Sequence, residues 1–297
     1  MPAVDISVVV VTFNSADCIA ACVESVLAQT GATFELIVVD NASQDNTLTR
    51  LNNLNCRVIP SAENLGFGRG NNLGFAHSRG RYLYFLNPDA RLTHADALAK
   101  ICRAMDARPD WGLAGTLVRD AEGQSESPPA MIYPGQRHVH RDFSRLPGHI
   151  AWIVGASMIV RRELYEPLGG FDPEFFLYSE ETDFCLRARE AGFAIGHLSE
   201  VEVRHIGAAS EDLRDPYDVA ARKLKGLILF RKKHYSPDDC VRLARRDLRR
   251  ASWRAGWNRW LAWFQPARGK AWKKSRNYRA VADVSRDYLV KARMKAG

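Results

Sequence analysis

The chain has 297 residues, 46% of them hydrophobic and 26% charged, a balance that excludes a collagen, a mucin, a wholly disordered tail and a disulfide-stapled mini-protein. The net charge of +8 conceals a step: Met1 to Ala221 holds 19 Lys and Arg against 29 Asp and Glu, whereas Arg222 to Gly297 holds 23 against 5. An acidic body followed by a basic tail predicts two parts with different tasks and an anionic surface as a partner of the second.

No run of about 18 apolar residues occurs, so a spanning helix is not expected. The opening MPAVDISVVVVTF lacks a basic segment and carries Asp5, unlike a secretory signal. Six cysteines, at 18, 22, 56, 102, 185 and 240, form no CxxC pair. Neither a zinc site nor a disulfide framework is expected, and a reducing compartment fits.

In chain order, Ile6 to Thr12 is a short β-branched run suited to a strand buried on both faces. Cys18, Ile19, Cys22, Val23, Val26 and Leu27 follow with helical spacing, with Ser15 or Asp17 as the cap. Phe34 to Val39 is a second buried strand ending at Asp40, after which Ser43 would cap a short helix. Arg57 to Pro60 is a third strand. The Gly/Asn-rich stretch ENLGFGRGNNLGFAHSRG precedes a fourth strand, Tyr82 to Leu86, which ends in Asn87-Pro88-Asp89. This β-α-β-α order predicts an α/β fold with a mostly parallel sheet. Residues 120–150 lack periodicity and read as a long loop. A strand over Ala151 to Val160, a short helix near Glu163 to Leu168, a helix over Glu181 to Ala191 and a final strand over Val201 to Ile206 complete the body.

Ligands of open α/β sheets sit at the carboxyl ends of the strands. Here those ends carry Thr12-Phe13-Asn14, Asp40-Asn41-Ala42-Ser43 and Asn87-Pro88-Asp89. Asp40 would either accept a hydrogen bond from a ribose or base, or cap the next helix. Asn64 to Asn72 matches neither a Walker loop nor a dinucleotide fingerprint. Its glycines would let backbone approach a ligand, with Arg69 answering a diphosphate; the alternative is a simple turn. Asp89 could hold a divalent cation on a diphosphate, with His205 as a candidate second ligand or a structural histidine. Phe175 to Tyr178 is an apolar run leading into Glu180, Glu181 and Asp183 at a helix start. The acids could complement the helix dipole. Equally, the apolar approach could tune one of them as a general base.

Taken together, VVVVTFN, VVDNASQDNT, ENLGFGRGNN, FLNPD, VGASMIVRRELYEPLGGFDPEFFLYSEETDFCLRAREAGF and the later HIG resemble an inverting family 2 glycosyltransferase with the GT-A fold, over residues 5–210. Among its members the bacterial rhamnosyltransferase-like proteins of surface polysaccharide assembly are most similar. The resemblance implies a nucleotide contact for Thr12, Asn14, Asp40 and Asn41, and a donor pocket lined by Asn64, Gly66, Phe67 and Asn71. It implies that Asp89 takes the place of the last carboxylate of the DxD motif that holds Mg2+ or Mn2+, with His205 completing the metal site. Glu181 falls at the position of the general base, Glu180 and Asp183 are its neighbours, and Arg187 pairs with this cluster. Two departures stand out: Asn87 replaces the first DxD carboxylate, and the base is Glu181 with Glu180 as rival. The QxxRW signature of processive synthases is absent.

The implied function is transfer of one sugar, rhamnose or a similar hexose, from a dTDP- or UDP-linked donor to a hydroxyl of a glycan or lipid-linked acceptor. Two rivals are a nucleotidyltransferase and a non-catalytic nucleotide-sugar binding module. The first would carry a basic residue after the first strand, where TFNSADC has none. The boundaries expected are a glycosyltransferase domain over 1–221 and a basic, Trp-rich helical extension over 222–297. In the extension Trp253, Trp257, Trp260 and Phe264 share one helical face among arginines, with Trp263 and Trp272 nearby. Such a face suits a lipid interface at the inner side of the cell membrane, or packing on the body or on a second subunit as a homodimer. No nucleic-acid motif is recognised, so nucleic acid is not expected as a partner.

Overall fold

The computed structural model describes residues 4–207, 215–262 and 269–294. Its elements, in order, are β1 (Ile6–Thr12), α1 (Ile19–Leu27), β2 (Phe34–Asp40), α2 (Thr47–Leu51), β3 (Arg57–Pro60), α3 (Gly66–Ala76), β4 (Tyr82–Leu86), β5 (Ala90–Leu92), α4 (Ala97–Ala107), β6 (Trp111–Arg119), β7 (Glu126–Ser127), β8 (Ser157–Arg161), α5 (Arg162–Tyr165), α6 (Glu180–Glu190), β9 (Ala194–His205), α7 (Pro216–His234), α8 (Pro237–Ala262) and α9 (Lys270–Met294). They divide between two compact units. One is Met1–Tyr133, Ser144–Phe176 and Glu180–Ser210; the other is Pro134–Phe143, Leu177–Ser179 and Glu211–Gly297.

The strands of the first unit form a nine-stranded sheet in the order β3-β2-β1-β4-β8-β6-β9-β5, with β7 paired to β6. The expected parallel arrangement holds from β3 to β4. Beyond β4 the sheet is mixed: β8 runs antiparallel to both β4 and β6, β9 parallel to β6, and β5 antiparallel to β9. The β-branched run of β1 explains its central place. Val8 and Val10 pack into one core with Ile19, Val23, Leu36, Val38, Tyr84 and Ile101. Val9 points to a second core with Leu83, Phe85, Met158, Tyr165, Phe171 and Phe184. Each such fully buried side chain contributes about 1.5–3 kcal/mol of burial free energy.

Several local expectations need correction. The Gly/Asn stretch is not a turn but α3, despite its poor helix propensity. Its glycines permit close packing: a Cβ on Gly70 would stand 2.7 Å from a Val11 methyl, and one on Gly74 would collide with Val9. Neither Ser15 nor Asp17 caps α1, whose N-cap is Cys18, and Ser43 does not cap α2, whose N-cap is Asn46. The strand expected over Ala151 to Val160 starts only at Ser157, preceded by a single bridge between Ala130 and Trp152. The final strand begins earlier, at Ala194, and carries register shifts.

Residues 120–150 do form a long connection, which also contributes β7 and a 3-10 turn over Gln136–His138. Within the first unit it is held by Arg189, only 6% exposed, which donates to the carbonyls of Pro147 (2.9 Å) and Gly148 (2.8 Å). Its Pro134–Phe143 part groups with the helices of the second unit, where Tyr235 Oη–H donates to Pro134 O (3.0 Å) and His140 N–H to Asp239 Oδ2 (3.1 Å). That unit is helical. Asp215 caps α7 by accepting from Tyr217 N–H (2.8 Å), and Pro216 begins the helix. Trp263 and Phe264 lie outside the described residues. Among the described residues no helix is long and apolar enough to cross a membrane.

Candidate active site

The carboxyl ends of β1 and β2 meet in register, Thr12 opposite Asp40. Both are buried, and Thr12 Oγ1 and Asp40 Oδ1 have no hydrogen-bond partner within the protein. Asp40 Oδ2 accepts from Ser43 N–H at 3.2 Å, which leaves Oδ1 as a desolvated acceptor at the strand end. Buried acceptors without a partner are costly and uncommon, and cluster where a ligand supplies the missing donor. The loops beyond are stitched together. Asn14, in the left-handed region at φ +50, donates its N–H to Ser43 Oγ (2.9 Å) and accepts from Gln44 N–H (2.8 Å). Ser43 thus serves the neighbouring loop.

Asn41, Asn64 and Asn71 shape the chain around α3. Asn41 Nδ2 donates to Gly66 O (2.9 Å), Asn64 Oδ1 accepts from Gly66 N–H (2.9 Å), and Asn71 Nδ2 donates to Phe67 O (3.0 Å). Gly66 sits at φ +78, where an added Cβ would strike the Phe176 carbonyl. Phe67 N–H donates to that same carbonyl at 3.0 Å, and its ring packs edge-on against Phe171, centroids 5.6 Å apart. These side chains hold backbone in place. Arg69 sits at the surface with Glu63, 3.4 Å away.

After β4, Asn87 N–H donates to Ala156 O (3.0 Å) and Ile206 N–H donates to Asp89 O (3.0 Å). These bonds and the Ala90–His205 register bring the end of β9 onto the Asn87-Pro88-Asp89 turn. His205 Nε2 lies 3.1 Å from Asp89 Oδ1 and 3.2 Å from Asn87 Nδ2. Two lone-pair carriers at such a distance need a positive centre between them, either a proton on the imidazole or a cation. The pair fits a divalent ion in kind, one hard oxygen and one imidazole nitrogen, a set better suited to Mn2+ than to Mg2+. It is only a third of a six-ligand shell: among the described residues no group of three or more His, Cys, Asp or Glu converges on a metal position.

The acids expected at a helix start open α6. The two preceding residues, Tyr178 and Ser179, both have φ +74, so the chain enters the helix through consecutive left-handed non-glycine residues. Glu180 is 2% exposed, its Oε2 has no partner, and its Cβ would lie 3.7 Å from a Cβ on Gly68 of α3. Burial, reinforced by the neighbouring Glu181 carboxylate, pushes its carboxyl well above the usual glutamate range. Glu181 is half-buried, and a Cβ on Gly155 would stand 3.6 Å from its Cβ and 3.3 Å from the Phe67 ring. Since Ala156 holds Asn87, residues 155–156 join the Glu181 end of α6 to the Asp89–His205 pair. Asp183, 1% exposed, accepts from Arg187 Nε at 2.8 Å. The same guanidinium donates to Leu168 O (3.0 Å) and Gly170 O (2.9 Å).

Two contributors were not singled out in the sequence. Asn72 accepts from Tyr165 Oη–H (2.6 Å) and Phe171 N–H (3.0 Å) and donates to Phe171 O (2.7 Å), fixing the segment before α6. Gly155 sits between Phe67 and Glu181. An Asn inside a glycine-rich helix and a small residue before an apolar run were the available signals, and both are too common to stand out.

Residues 7–169 match the sequence profile described as Glycosyl transferase family 2. The chain is 26% identical over 237 residues to an uncharacterized protein, y4gI, of Sinorhizobium fredii, covering 73% of this chain and 26% of that protein, so it spans about a quarter of that relative. It is 27% identical over 268 residues to the N-acetylglucosaminyl-diphospho-decaprenol L-rhamnosyltransferase of Mycobacterium tuberculosis, covering 77% of this chain and 84% of the relative. The mannosyltransferase PcManGT from Pyrobaculum calidifontis, solved with GDP-Man and Mn2+, superposes with a TM-score of 0.57 at 17% identity. That superposition covers 100% of this chain and 77% of the other, a likeness of fold. With the family's pattern running through more than half of its length and a GT-A sheet beneath it, the chain belongs to glycosyl transferase family 2.

Proposed function

We propose that this glycosyltransferase moves one sugar, rhamnose or a similar hexose, from a dTDP- or UDP-linked donor to a hydroxyl of a glycan or lipid-linked acceptor in bacterial surface polysaccharide synthesis, inverting the anomeric carbon. The name of the mycobacterial relative supports the rhamnosyl donor and the lipid-linked acceptor. The observation that carries the reading is the link, through Asn87, Ala156 and Gly155, between the Asp89–His205 pair and Glu181. In this reading the Asp89–His205 pair is the diphosphate-binding end of the site and Glu181 its proton-accepting end.

In this reading Asp40 Oδ1 and Thr12 Oγ1 take the nucleoside, a ribose hydroxyl or ring N–H giving Asp40 the donor it lacks. Asn14, Asn41, Asn64, Gly66, Phe67 and Asn71 keep the surrounding backbone in shape. Asp89 and His205 would hold Mn2+ or Mg2+, which when bound neutralises charge on the departing diphosphate. Asn87 flanks the pair, its Nδ2 3.2 Å from His205 Nε2.

Glu181 is the base. Glu180, 2% exposed and sealed against α3, offers an acceptor hydroxyl little access, and burial pushes its carboxyl toward the neutral form. Glu181 removes the acceptor hydroxyl proton as that oxygen bonds to the anomeric carbon. The bond from that carbon to the diphosphate oxygen breaks, and its electron pair leaves with the nucleoside diphosphate. Asp183 and Arg187 act at one remove, as the ion pair that anchors the start of α6 to Leu168 and Gly170.

The test is incubation of the full chain with dTDP- and UDP-sugars and polyprenyl-diphosphate glycan acceptors, with and without Mn2+, followed by NMR of the product anomer. An inverted glycoside from one donor supports the reading; a retained configuration, or nucleotide binding with no turnover of any donor, rejects it.

A further inference from the structure

The helical unit carries a surface that the transfer reaction does not use. On α8, Trp253, Trp257 and Trp260 are 70%, 52% and 56% exposed. Their rings lie along one another: Trp253 and Trp257 are 6.4 Å apart with planes 7° apart, and Trp257 and Trp260 are 5.3 Å apart at 35°. They form an apolar ridge about 10 Å long at the helical rise.

The ridge continues as charge. At 100° per residue, Arg242, Arg246, Arg249 and Arg250 fall with the three tryptophans inside one arc of about 100°. Arg242, Arg249 and Arg250 are exposed and Arg246 is half-buried. The arc therefore presents arginines over its first half and tryptophans over its second. The acid of this stretch, Asp247, lies about 120° from Trp253 by the same spacing, and it is paired with Arg231 at 2.6 Å. Cys240, Ala244 and Ala251 on the opposite face of α8 are buried; at the start of the helix Asp239, inside the arc, is buried too, holding His140 N–H and the Arg242 guanidinium, so the open stretch of the arc begins at Arg246.

We infer that this face of α8 docks on an anionic phospholipid bilayer, its arginines at the lipid phosphates and its tryptophans at the level where headgroups meet acyl chains. Three large exposed aromatics in a row are more than a soluble surface ordinarily leaves uncovered. Indole rings partition to that interfacial level. The charge is complementary over the whole tail, with 23 Lys and Arg against 5 Asp and Glu from Arg222 onward. A bilayer answers both halves of the arc at once, phosphate for one and apolar depth for the other.

The experiment uses the full chain and sedimentation with vesicles of pure phosphatidylcholine, or of phosphatidylcholine with one third phosphatidylglycerol. Binding is expected to the anionic vesicles alone and to fade as salt is raised. Brominated phosphatidylcholine should quench tryptophan emission in those vesicles. R246Q/R249Q/R250Q should bind about a hundredfold more weakly, at about fivefold per basic residue near an anionic surface. R246K/R249K/R250K should retain binding, and W253A/W257A/W260A should lose both binding and quenching. Unchanged circular dichroism and nucleotide affinity in each variant show that it is folded, and they read the transferase proposal separately. Equal binding to neutral and anionic vesicles overturns the inference. So does binding only to nucleic acid, or a dimer in ultracentrifugation that the tryptophan variant dissolves while wild type ignores vesicles.

Discussion

His205 Nε2 and Asp89 Oδ1 stand 3.1 Å apart, brought together by the β5–β9 pairing. Asn87 Nδ2 lies 3.2 Å from the same nitrogen, so its N–H and a proton or cation held toward Asp89 compete for one lone pair. Titration calorimetry with nucleoside diphosphate should show D89A and H205A losing most of the Mn2+-dependent gain in affinity while metal-free binding changes little. N87A, which removes a donor competing with the cation for the His205 Nε2 lone pair, should leave the Mn2+ effect at least as large as in wild type. Wild-type Mn2+ dependence in D89A would remove the pair from the donor site.

The two adjacent glutamates should separate cleanly by amide substitution. In the proposed mechanism E181Q removes the proton acceptor, so transfer should fall by about 10²–10⁴-fold with donor affinity unchanged. E180Q replaces a buried carboxyl that burial pushes toward its neutral form with a neutral group of nearly the same shape, so transfer should survive. Active E181Q with inactive E180Q would exchange their roles.

Glu180 also makes stability depend on pH, with a definite sign. Its folded-state value lies above the unfolded one, so between the two the native state binds more protons and stability falls as pH rises. The contribution is fully present below the ordinary glutamate range and is lost through the raised value. In E180Q that dependence vanishes. Melting temperatures across the pH series should show E180Q gaining on wild type as pH rises from the acid side. E181Q should shrink the wild-type slope, since Glu181 is the second cause of the shift. Parallel curves for E180Q and wild type would mean that folding does not raise the Glu180 carboxyl.

Much of the parallel half of the sheet was legible because β1, β2 and β4 are buried on both faces and therefore read as unbroken apolar runs. The strand-end residues could be named for the same reason, since such a sheet aims its strand ends at ligands. α3 was hidden by its glycines, which serve the approach to Val9 and Val11 and say nothing of local propensity. The division of labour among the acids was equally hidden. Spacing puts Glu180, Glu181 and Asp183 on one helix start and Arg187 one turn after Asp183, but only long-range packing decides that Glu180 is sealed against α3.

Gly66, at the start of α3, leaves no room for a side chain. At φ +78, and with an added Cβ directed into the Phe176 carbonyl, G66A must shift the turn that Asn41 and Asn64 hold. Strain in a left-handed position amounts to about 1–3 kcal/mol before any clash is relieved. Urea unfolding should show at least that loss, and nucleotide affinity should fall with it. A variant as stable and as tight as wild type would mean that the loop adapts freely.

Arg187 tests whether the α6 ion pair anchors the helix or touches the donor. Asp183 is 1% exposed while Arg187 keeps 22% of its side chain exposed, so the pair is only half removed from water. R187A would leave the buried carboxylate without its guanidinium and free the Leu168 and Gly170 carbonyls. A loss of about 3 kcal/mol is expected, the lower end for a broken buried pair because of that exposure. R187A/D183N, which removes the stranded charge as well, should recover part of it. Because the guanidinium is committed to α6 and to the turn before it, nucleotide affinity measured well below the melting temperature should stay near wild type in both variants. A large fall in affinity with unchanged stability would instead make Arg187 a donor ligand and leave Asp183 to hold the helix start alone.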